Sequence, residues 1–282
     1  MIKAVWDLLR LEHGFMYALG VVVGIIVSSG LNFGLKDIIF GSLTAIFCQA
    51  SAFALNDYLD YEVDLANERF DRPLVRGDLS RRSALLIGII LAPLGFLSAF
   101  AISLNAFLLA LAITLLGYLY NLKLKEFGLI GNFYIAFSMC APFIFGSVVA
   151  TNTITPQIAV LSIIAFLSGV AREVMKGIED VEGDALRNVR TVARVKGVEF
   201  ASKLSASLFL IAVALSFVPF LFVEGYVLDL KYLLPVLVTD FMLAKISFEL
   251  LRRHEPEDIR RFRKQTLLAL LFGLIGFLLG AL

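Results

Sequence analysis

Cysteine and charge are both scarce in this sequence of 282 residues. The two cysteines, Cys48 and Cys140, lie in apolar runs without CxxC or zinc-finger spacing, so we expect neither a disulfide framework nor a zinc site. Charged residues make up 17% of the chain, and their formal charges sum to +1. No overall charge therefore attracts an acidic partner.

Hydrophobic residues dominate the composition instead. They make up 59% of the chain, and the mean hydropathy is +0.87. Soluble domains contain about 45–50% apolar residues even when glycine is counted. This composition excludes a soluble enzyme, a nucleic-acid-binding protein and a disordered scaffold, and it predicts that most of the chain lies in lipid.

Nine apolar runs are long enough to cross a bilayer, which takes about 20 helical residues. The run from Ser83 to Tyr120 is too long for one crossing, so a tight turn is expected near Ser103. We predict an all-α, multi-pass membrane protein with nine transmembrane helices in a single domain, residues 1–282. The predicted spans are residues 14–30, 36–55, 83–103, 105–121, 128–150, 156–174, 203–223, 229–250 and 265–282.

Most positive charges fall on the side of the predicted topology that carries the N-terminus. Of the 25 Lys and Arg residues, 22 fall there, Lys36 and Lys231 fall in loops on the opposite side, and Lys245 falls within a span. Cytoplasmic loops are enriched in Lys and Arg, so we predict that the side with 22 cations is cytoplasmic, with the N-terminus inside and the C-terminus outside. The long polar loops, residues 56–82 and 176–202, share that side, which favours an enzyme over a transporter.

Two acidic clusters follow predicted spans on the same side. On a helix, the members of each cluster would share an arc of about 100° or less. Stacked carboxylates repel, and Mg²⁺ compensates well because it takes one or two carboxylates together with substrate phosphate. We predict two or more Mg²⁺ around a diphosphate, with the ligands Asn56, Asp57, Asp60 and Asp64 from the first cluster and Asp180 and Asp184 from the second.

A constant offset relates the two clusters. Asp60 and Asp180 are 120 residues apart, as are Asp64 and Asp184, and four predicted spans fit this interval. We interpret the offset as two pseudo-repeated four-helix halves plus one further helix.

Basic residues follow the acidic clusters and the fourth span. Arginine suits bidentate contact with phosphate, so we predict that Arg72, Lys123 and Arg190 contact the diphosphate. Topology alone explains cations in inside loops, and we favour that reading for Arg69, Arg81, Arg82 and the group from Arg252 to Lys264.

The sequence resembles the UbiA family of intramembrane prenyltransferases over essentially its whole length. The resemblance is carried by the paired motifs, Asn56-Asp57-x-x-Asp60-x-x-x-Asp64 and Asp180-x-x-x-Asp184. It implies nine helices around a central cavity open to the cytoplasm, a need for Mg²⁺ and prenyl diphosphate, and alkylation of a lipophilic acceptor. Besides these substrates and membrane lipid, we expect no nucleic acid ligand and no obligate protein partner.

Within the family, the segment from Glu173 to Asp184 resembles the archaeal digeranylgeranylglyceryl phosphate synthases. This resemblance implies geranylgeranyl transfer to geranylgeranylglyceryl phosphate in ether-lipid synthesis. Gly177 stands where those enzymes usually have Asp, which leaves the acceptor open. The alternative acceptor is an aromatic ring, as in menaquinone or ubiquinone biosynthesis. An ion-coupled transporter is a remote alternative, because its carboxylates would lie near the bilayer midplane.

The predicted reaction gives roles to the remaining candidates. Asp60, Asp64, Asp180 and Asp184 are predicted to be catalytic as metal ligands, and Glu173, an Asp or the departing diphosphate would take the acceptor's proton. Lys176 or Arg172 would bind a phosphate on the acceptor. Tyr118 and Tyr120 would present aromatic faces to an allylic cation. Arg10 and His13 are predicted to contact substrate, and the segment around Arg10 could lie at the lipid interface.

Overall fold

The structure is a computed structural model that describes residues 2–179, 181 and 190–282. Over these residues the regular structure is helical, and no β-strand occurs. The helices are α1 (Ile2–Leu9), α2 (Leu11–Ser29), α3 (Leu35–Ala66), α4 (Arg81–Phe100), α5 (Leu104–Leu122), α6 (Gly128–Thr151), α7 (Pro156–Glu179), α8 (Val192–Lys196), α9 (Val198–Phe222), α10 (Leu230–Leu250) and α11 (Pro256–Ala281).

Among the described residues, eight helices are long and apolar enough to cross a membrane, namely α2 to α7, α9 and α11. Helix α10 has 21 residues but carries four charged side chains, Lys231, Asp240, Lys245 and Glu249. The prediction of an all-α, multi-pass membrane protein is therefore confirmed. The count of nine crossings and the pseudo-repeat stay predictions.

Several helices continue beyond the predicted spans. Helix α3 runs through the first acidic motif to Ala66, and α7 continues to Glu179. Helix α11 begins at Pro256, well before the predicted start at residue 265. The predicted polar loops, residues 56–82 and 176–202, therefore begin later than predicted, because hydropathy falls where charge begins, whereas α3 and α7 continue as helices past that point.

The first compact unit contains Met1–Ile25, Asn32–Lys123 and Pro142–Thr153. Around the acidic end of α3, a buried apolar group joins α1 to α3, α4 and the loop between them: Leu8, Leu9, Ala50, Ala54, Leu74 and Ala84. This packing fixes the end of α3 that carries the first motif.

The predicted turn near Ser103 is confirmed, since Ser103 caps α5 by accepting a hydrogen bond from the Ala106 amide at 3.1 Å.

Small residues allow α2 and α6 to approach closely within this unit. A Cβ at Gly146 would meet the Val21 carbonyl oxygen and lie 2.9 Å from the Gly24 Cα. Such glycine contacts let helices pack backbone to backbone in lipid, where van der Waals contact drives association.

The second compact unit contains Ile26–Leu31, Leu124–Ala141 and Ile154–Leu282. Helix α7 packs against α9 and α11. Its buried residues Val174 and Met175 join an apolar core with Phe209 of α9, Leu243 of α10 and Phe262 of α11. This core holds the polar end of α7 beside the start of α11.

Candidate functional site

Asp57 is the most deeply buried residue of the first acidic motif, with 1% of its side chain exposed. Its Oδ1 accepts a hydrogen bond from the Arg10 guanidinium at 2.7 Å and lies 3.7 Å from Arg72 Nη1. Its Oδ2 is also buried and has no hydrogen-bond partner among the described residues. A buried carboxylate needs compensating charge, and two arginines supply it here.

Arg10 reaches Asp57 because the chain changes direction between α1 and α2. Arg10 adopts a φ of 45° at this junction, and its guanidinium lies 4.2 Å from the centre of the Phe53 ring. Burial lowers the pKa of Arg10, and the Asp57 carboxylate acts in the opposite direction. Arg10 thus points to the acidic motif, and not toward the lipid interface at which its segment was predicted to lie.

His13 lies one turn further along and is half-exposed. Its ring lies 5.7 Å from the Phe53 ring, and its Nδ1 is 3.7 Å from the Glu12 carboxylate. The structure therefore brings His13 near Arg10 through their shared neighbour Phe53. Its predicted contact with substrate stays a prediction.

Asn56 connects Asp60 to helix α5. Its Nδ2 donates to Asp60 Oδ2 at 2.9 Å and to Asn121 Oδ1 at 3.3 Å. Asn121 is buried and donates in turn to the Ala52 carbonyl at 2.9 Å. Sequence reasoning missed Asn121, whose only signal was a lone amide at the end of an apolar span.

Asp64 and Arg72 face each other across the loop after α3. Arg72 Nε lies 3.7 Å from Asp64 Oδ2, and this nitrogen is buried without a hydrogen-bond partner in the described part of the chain. The adjacent Leu74 is anchored in the apolar group around α1, and Gly77 turns the loop with a φ of 79°. The loop thereby holds Arg72 beside Asp57 and Asp64, while its predicted contact with the diphosphate stays a prediction.

The end of α5 carries the other predicted residues of this unit. Tyr118 shares a 2.6 Å hydrogen bond with Ser51 of α3. Tyr120 is half-buried, and Lys123, which follows the last helical residue, is exposed. Tyr118 is therefore tied to the motif helix, while the predicted ligand contacts of Tyr120 and Lys123 stay predictions.

The oxygen donors of the first motif fit a hard divalent cation. Within the residues described, no group of three His, Cys, Asp or Glu side chains could hold a metal by itself. Mg²⁺ needs fewer protein ligands, since one or two carboxylates and substrate phosphates suffice. Asp60 and Asp64 provide two carboxylates one turn apart on α3, and Asn56 orients one of them. The carboxylate of Asp57, by contrast, lies next to the guanidinium groups of Arg10 and Arg72.

In the second unit, the end of α7 carries Glu173, which is 10% exposed. Its carboxylate lies 3.5 Å from Lys176 Nζ and 3.8 Å from Arg172 Nη1. Glu179, the last residue of α7, pairs with both Arg260 and Arg263 of α11. Cations that the sequence analysis assigned to topology alone are therefore held against this helix end.

The second motif itself, Asp180 and Asp184, lies outside the described residues. Beyond it, Arg190 is exposed. Its carbonyl oxygen lies so close to Gly128, at the start of α6, that a Cβ there would clash. Thr191 then caps α8 by accepting a hydrogen bond from the Arg194 amide at 3.3 Å, and Gly177 packs against it. Arg190 and Thr191 are thus packed closely against Gly128 of α6 and Gly177 of α7, respectively.

Asp240 is a buried carboxylate that sequence reasoning overlooked. It lies in α10, is 6% exposed, and accepts a 2.8 Å hydrogen bond from Ser216 of α9. Lys245 was the one charge recognised within a predicted span from the sequence. A single acid in a mainly apolar run hardly changes its hydropathy, which is why the pattern did not reveal it.

A multi-pass helical protein whose helix ends carry buried carboxylates and arginines has the construction of an intramembrane enzyme. The sequence matches the UbiA prenyltransferase family over residues 17–280, and the chain belongs to that family. The resemblance predicted from the paired motifs is therefore confirmed.

Curated relatives cover nearly the whole chain. A digeranylgeranylglyceryl phosphate synthase from Archaeoglobus fulgidus is 56% identical over 280 residues, covering 99% of this chain and 96% of the relative. Another enzyme of the same name, from Pyrococcus furiosus, is 34% identical over 267 residues, covering 93% and 92%.

Solved structures share the fold. A structure concerning digeranylgeranylglyceryl phosphate synthase superposes with a TM-score of 0.88 at 26% identity and covers 99% of this chain and 98% of that one. A UbiA homolog from Archaeoglobus fulgidus bound to GPP and Mg²⁺ superposes with a TM-score of 0.71 at 21% identity, covering 97% and 99%. The second likeness concerns the fold alone.

Proposed function

We propose that this prenyltransferase transfers a geranylgeranyl group from geranylgeranyl diphosphate to the free hydroxyl of geranylgeranylglyceryl phosphate. The bond between C1 and the diphosphate oxygen breaks, a bond between C1 and the glycerol oxygen forms, and diphosphate and a proton leave. The observation that carries this proposal is 56% identity, over 99% of the chain, to a relative named for this product. Residues 1–282 act as one catalytic domain in this proposal.

Arg72 binds the diphosphate in this proposal. Its guanidinium lies 3.7 Å from Asp57 and Asp64, beyond hydrogen-bond distance, and its buried Nε has no hydrogen-bond partner among the described residues. An unsatisfied guanidinium next to the motif favours an incoming phosphate oxygen, because charge-assisted hydrogen bonds to phosphate are strong. Lys123 and Arg190, both exposed, would add further positive charge.

Asp60 and Asp64 hold Mg²⁺ in this proposal, together with Asn56 and with Asp180 and Asp184 of the second motif. Two or more ions are proposed, since a diphosphate offers oxygens to several. When bound, Mg²⁺ neutralises charge on the departing diphosphate. The chain's own part is to present these carboxylates, and the hydrogen bond from Asn56 fixes the orientation of Asp60.

Asp57 acts as a positioning residue rather than as a metal ligand in this account. It is buried between Arg10 and Arg72, and its hydrogen bond comes from Arg10. It keeps Arg72 near the motif and Arg10 next to Asn56, whose Oδ1 lies 3.5 Å from Arg10 Nη2. Arg10 and His13 thus border the site from the start of α2.

Glu173 is the proposed acceptor of the hydroxyl proton, and the departing diphosphate is the other candidate. Glu173 is a mostly buried carboxylate beside Arg172 and Lys176, the cations predicted to bind an acceptor phosphate. Tyr118, held by Ser51, and Tyr120 would face the allylic cation and help to keep water away from it.

The proposed location is the cell membrane, with the site open to the cytoplasm, the N-terminus inside and the C-terminus outside. The excess of Lys and Arg on one side of the predicted topology supports this orientation. Labelling of single cysteines introduced at residues 76 and 227, in intact cells with a membrane-impermeant reagent, tests it. Only the second position should react.

The function is tested with purified protein in lipid nanodiscs, geranylgeranyl diphosphate and Mg²⁺. Geranylgeranylglyceryl phosphate and a dihydroxynaphthoate are offered in parallel, and products are identified by mass. The proposal expects a Mg²⁺-dependent product with the glyceryl phosphate only. A product with the aromatic acceptor alone would overturn the proposed acceptor and move the protein to quinone biosynthesis.

A further inference from the structure

A cluster of basic residues occupies the place where the end of α7 packs beside the start of α11. Glu179 accepts a 2.9 Å hydrogen bond from Arg260 and pairs also with Arg263. Lys176 lies about one turn before Glu179 on α7, and Glu173 and Arg172 lie nearly two turns before it. The described members comprise four cations and two carboxylates, so they carry a net charge of +2: Arg172, Lys176, Arg260, Arg263, Glu173 and Glu179.

The carboxylates leave two of these guanidinium groups incompletely satisfied. Arg172 has Glu173 at 3.8 Å, beyond hydrogen-bond distance. The Nε atoms of Arg172 and Arg263 are both buried and lack a hydrogen-bond partner among the described residues. The charge of Arg263 also repels that of Arg172. Buried donors without partners are costly, and repulsion between them adds to that cost.

Arg261, on the same helix as Arg263, has carboxylate partners for its guanidinium group. It donates to Asp258 at 2.7 Å and to Glu249 at 3.5 Å, and nearly half of its side chain is exposed. Its charge is therefore balanced by neighbouring carboxylates and by water. Arg172 and Arg263 differ from it in being more buried and in lacking partners for their Nε donors.

We propose that Arg172 and Arg263, with Lys176 at the exposed edge, bind the phosphate monoester of the acceptor. This inference rests on the proposed function and names the part of the chain that recognises the acceptor's headgroup. A phosphate monoester carries about −1.5 to −2 charges near neutral pH, which matches the +2 of the described cluster. Two guanidinium groups offer planar pairs of donors that suit phosphate oxygens. Arg263, which was first explained by membrane topology alone, thereby becomes a residue that determines specificity for the acceptor.

Binding of geranylgeranylglyceryl phosphate to the purified protein tests this inference without turnover. Affinity is measured by calorimetry for that lipid and for geranylgeranylglycerol, which lacks the phosphate. The wild type should bind the phosphorylated lipid at least about tenfold more tightly. Arg172→Gln and Arg263→Gln should each remove most of that preference, whereas the matched control Arg261→Gln should keep it.

Steady-state kinetics separates this role from a structural one. In Arg172→Gln and Arg263→Gln, KM for geranylgeranylglyceryl phosphate should rise at least about tenfold, while KM for geranylgeranyl diphosphate stays within about twofold. Arg263→Lys keeps the charge and should recover part of the loss. If Arg263→Gln is unstable because Glu179 loses a partner, Arg172→Gln still decides, since no described hydrogen bond depends on its side chain.

The outcomes distinguish this inference from the proposed function. If the wild type binds both lipids equally, or if both variants keep the preference for phosphate, the inference is overturned even when the ether product forms. If the wild type prefers the phosphorylated lipid and the variants lose that preference, the inference stands. Absence of an ether product would then contradict only the proposed reaction.

Discussion

Arg10 donates a 2.7 Å hydrogen bond to Asp57, a carboxylate of the first acidic motif that is 1% exposed. These residues are 47 positions apart in the sequence. Their pairing ties the junction of α1 and α2 to the helix that carries Asp60 and Asp64. The same carboxylate lies near Arg72, so one buried charge organises cations from two segments.

Asp57→Asn should destabilise the protein. It leaves Arg10 and Arg72 close together without the intervening negative charge, and breaking a buried pair costs about 3 kcal/mol or more. Thermal unfolding in detergent measures the effect. Arg10→Met combined with Asp57→Asn should cost less than the sum of the single changes, because the removed partners interact. Additive losses would contradict this pairing.

Asp60→Asn should reduce turnover by at least about 100-fold while the protein still inserts and folds, because it removes a carboxylate proposed to hold Mg²⁺. Asp64→Asn should behave in the same way. The control is Glu62→Gln, which alters an exposed carboxylate on the same helix that pairs with Arg81. Turnover is measured over a range of Mg²⁺ concentrations. Near-normal rates in Asp60→Asn would refute the metal assignment.

Gly146→Ala should destabilise the protein by about 1–3 kcal/mol, because the added methyl group would meet the backbone of α2 at Val21 and Gly24. Gly131→Ala on the same helix is the control. Its methyl group would have its nearest neighbour at 3.5 Å, an ordinary contact. Alanine favours helix over glycine by about 0.5–1 kcal/mol, so Gly131→Ala should be neutral or stabilising. Equal unfolding temperatures for the two variants would contradict the close contact.

Tyr226 should make the stability of the wild type fall at alkaline pH. Its hydroxyl donates to the Phe277 carbonyl at 2.8 Å, and burial raises the pKa of Tyr226. A group whose pKa is raised by folding stabilises below its unfolded pKa, about 10 for tyrosine, and loses that contribution as pH rises further.

Tyr226→Phe therefore provides the comparison. It should cost about 1 kcal/mol at pH 8, where the hydrogen bond is lost, and show a smaller decrease of unfolding temperature between pH 8 and pH 11 than the wild type. Parallel decreases in the two proteins would show that Tyr226 does not contribute to the alkaline sensitivity.

The sequence predicted the helices well because lipid imposes a simple rule on length and apolarity. The tight turn at Ser103 followed from the same rule. The extension of α3 through Asp64 to Ala66 did not follow from hydropathy, which detects the membrane-crossing part of a helix and not its end, but it agrees with the helical arrangement assumed for the first acidic cluster. The polar parts of the helices carry the site, so the pattern was least informative there.

Contacts between pairs of site residues were harder to predict than the site residues themselves. The sequence pointed to Asp57, Arg10 and Arg72 one by one, but no local pattern shows which charges meet across many residues of sequence. Asn121 and Arg263 were missed or set aside for the same reason. Each gains its significance only from a neighbour on another helix, Asn56 and Glu179 respectively.

The most direct test of the account follows the oxygen of the acceptor. Geranylgeranylglyceryl phosphate labelled with ¹⁸O in its free hydroxyl is incubated with the wild-type protein, Mg²⁺ and geranylgeranyl diphosphate, and the products are analysed by mass. Alkyl transfer at C1 predicts that the label is retained in the ether product and is absent from the released diphosphate. Label in a phosphate group, or an unlabelled ether, would contradict prenyl transfer to the acceptor hydroxyl.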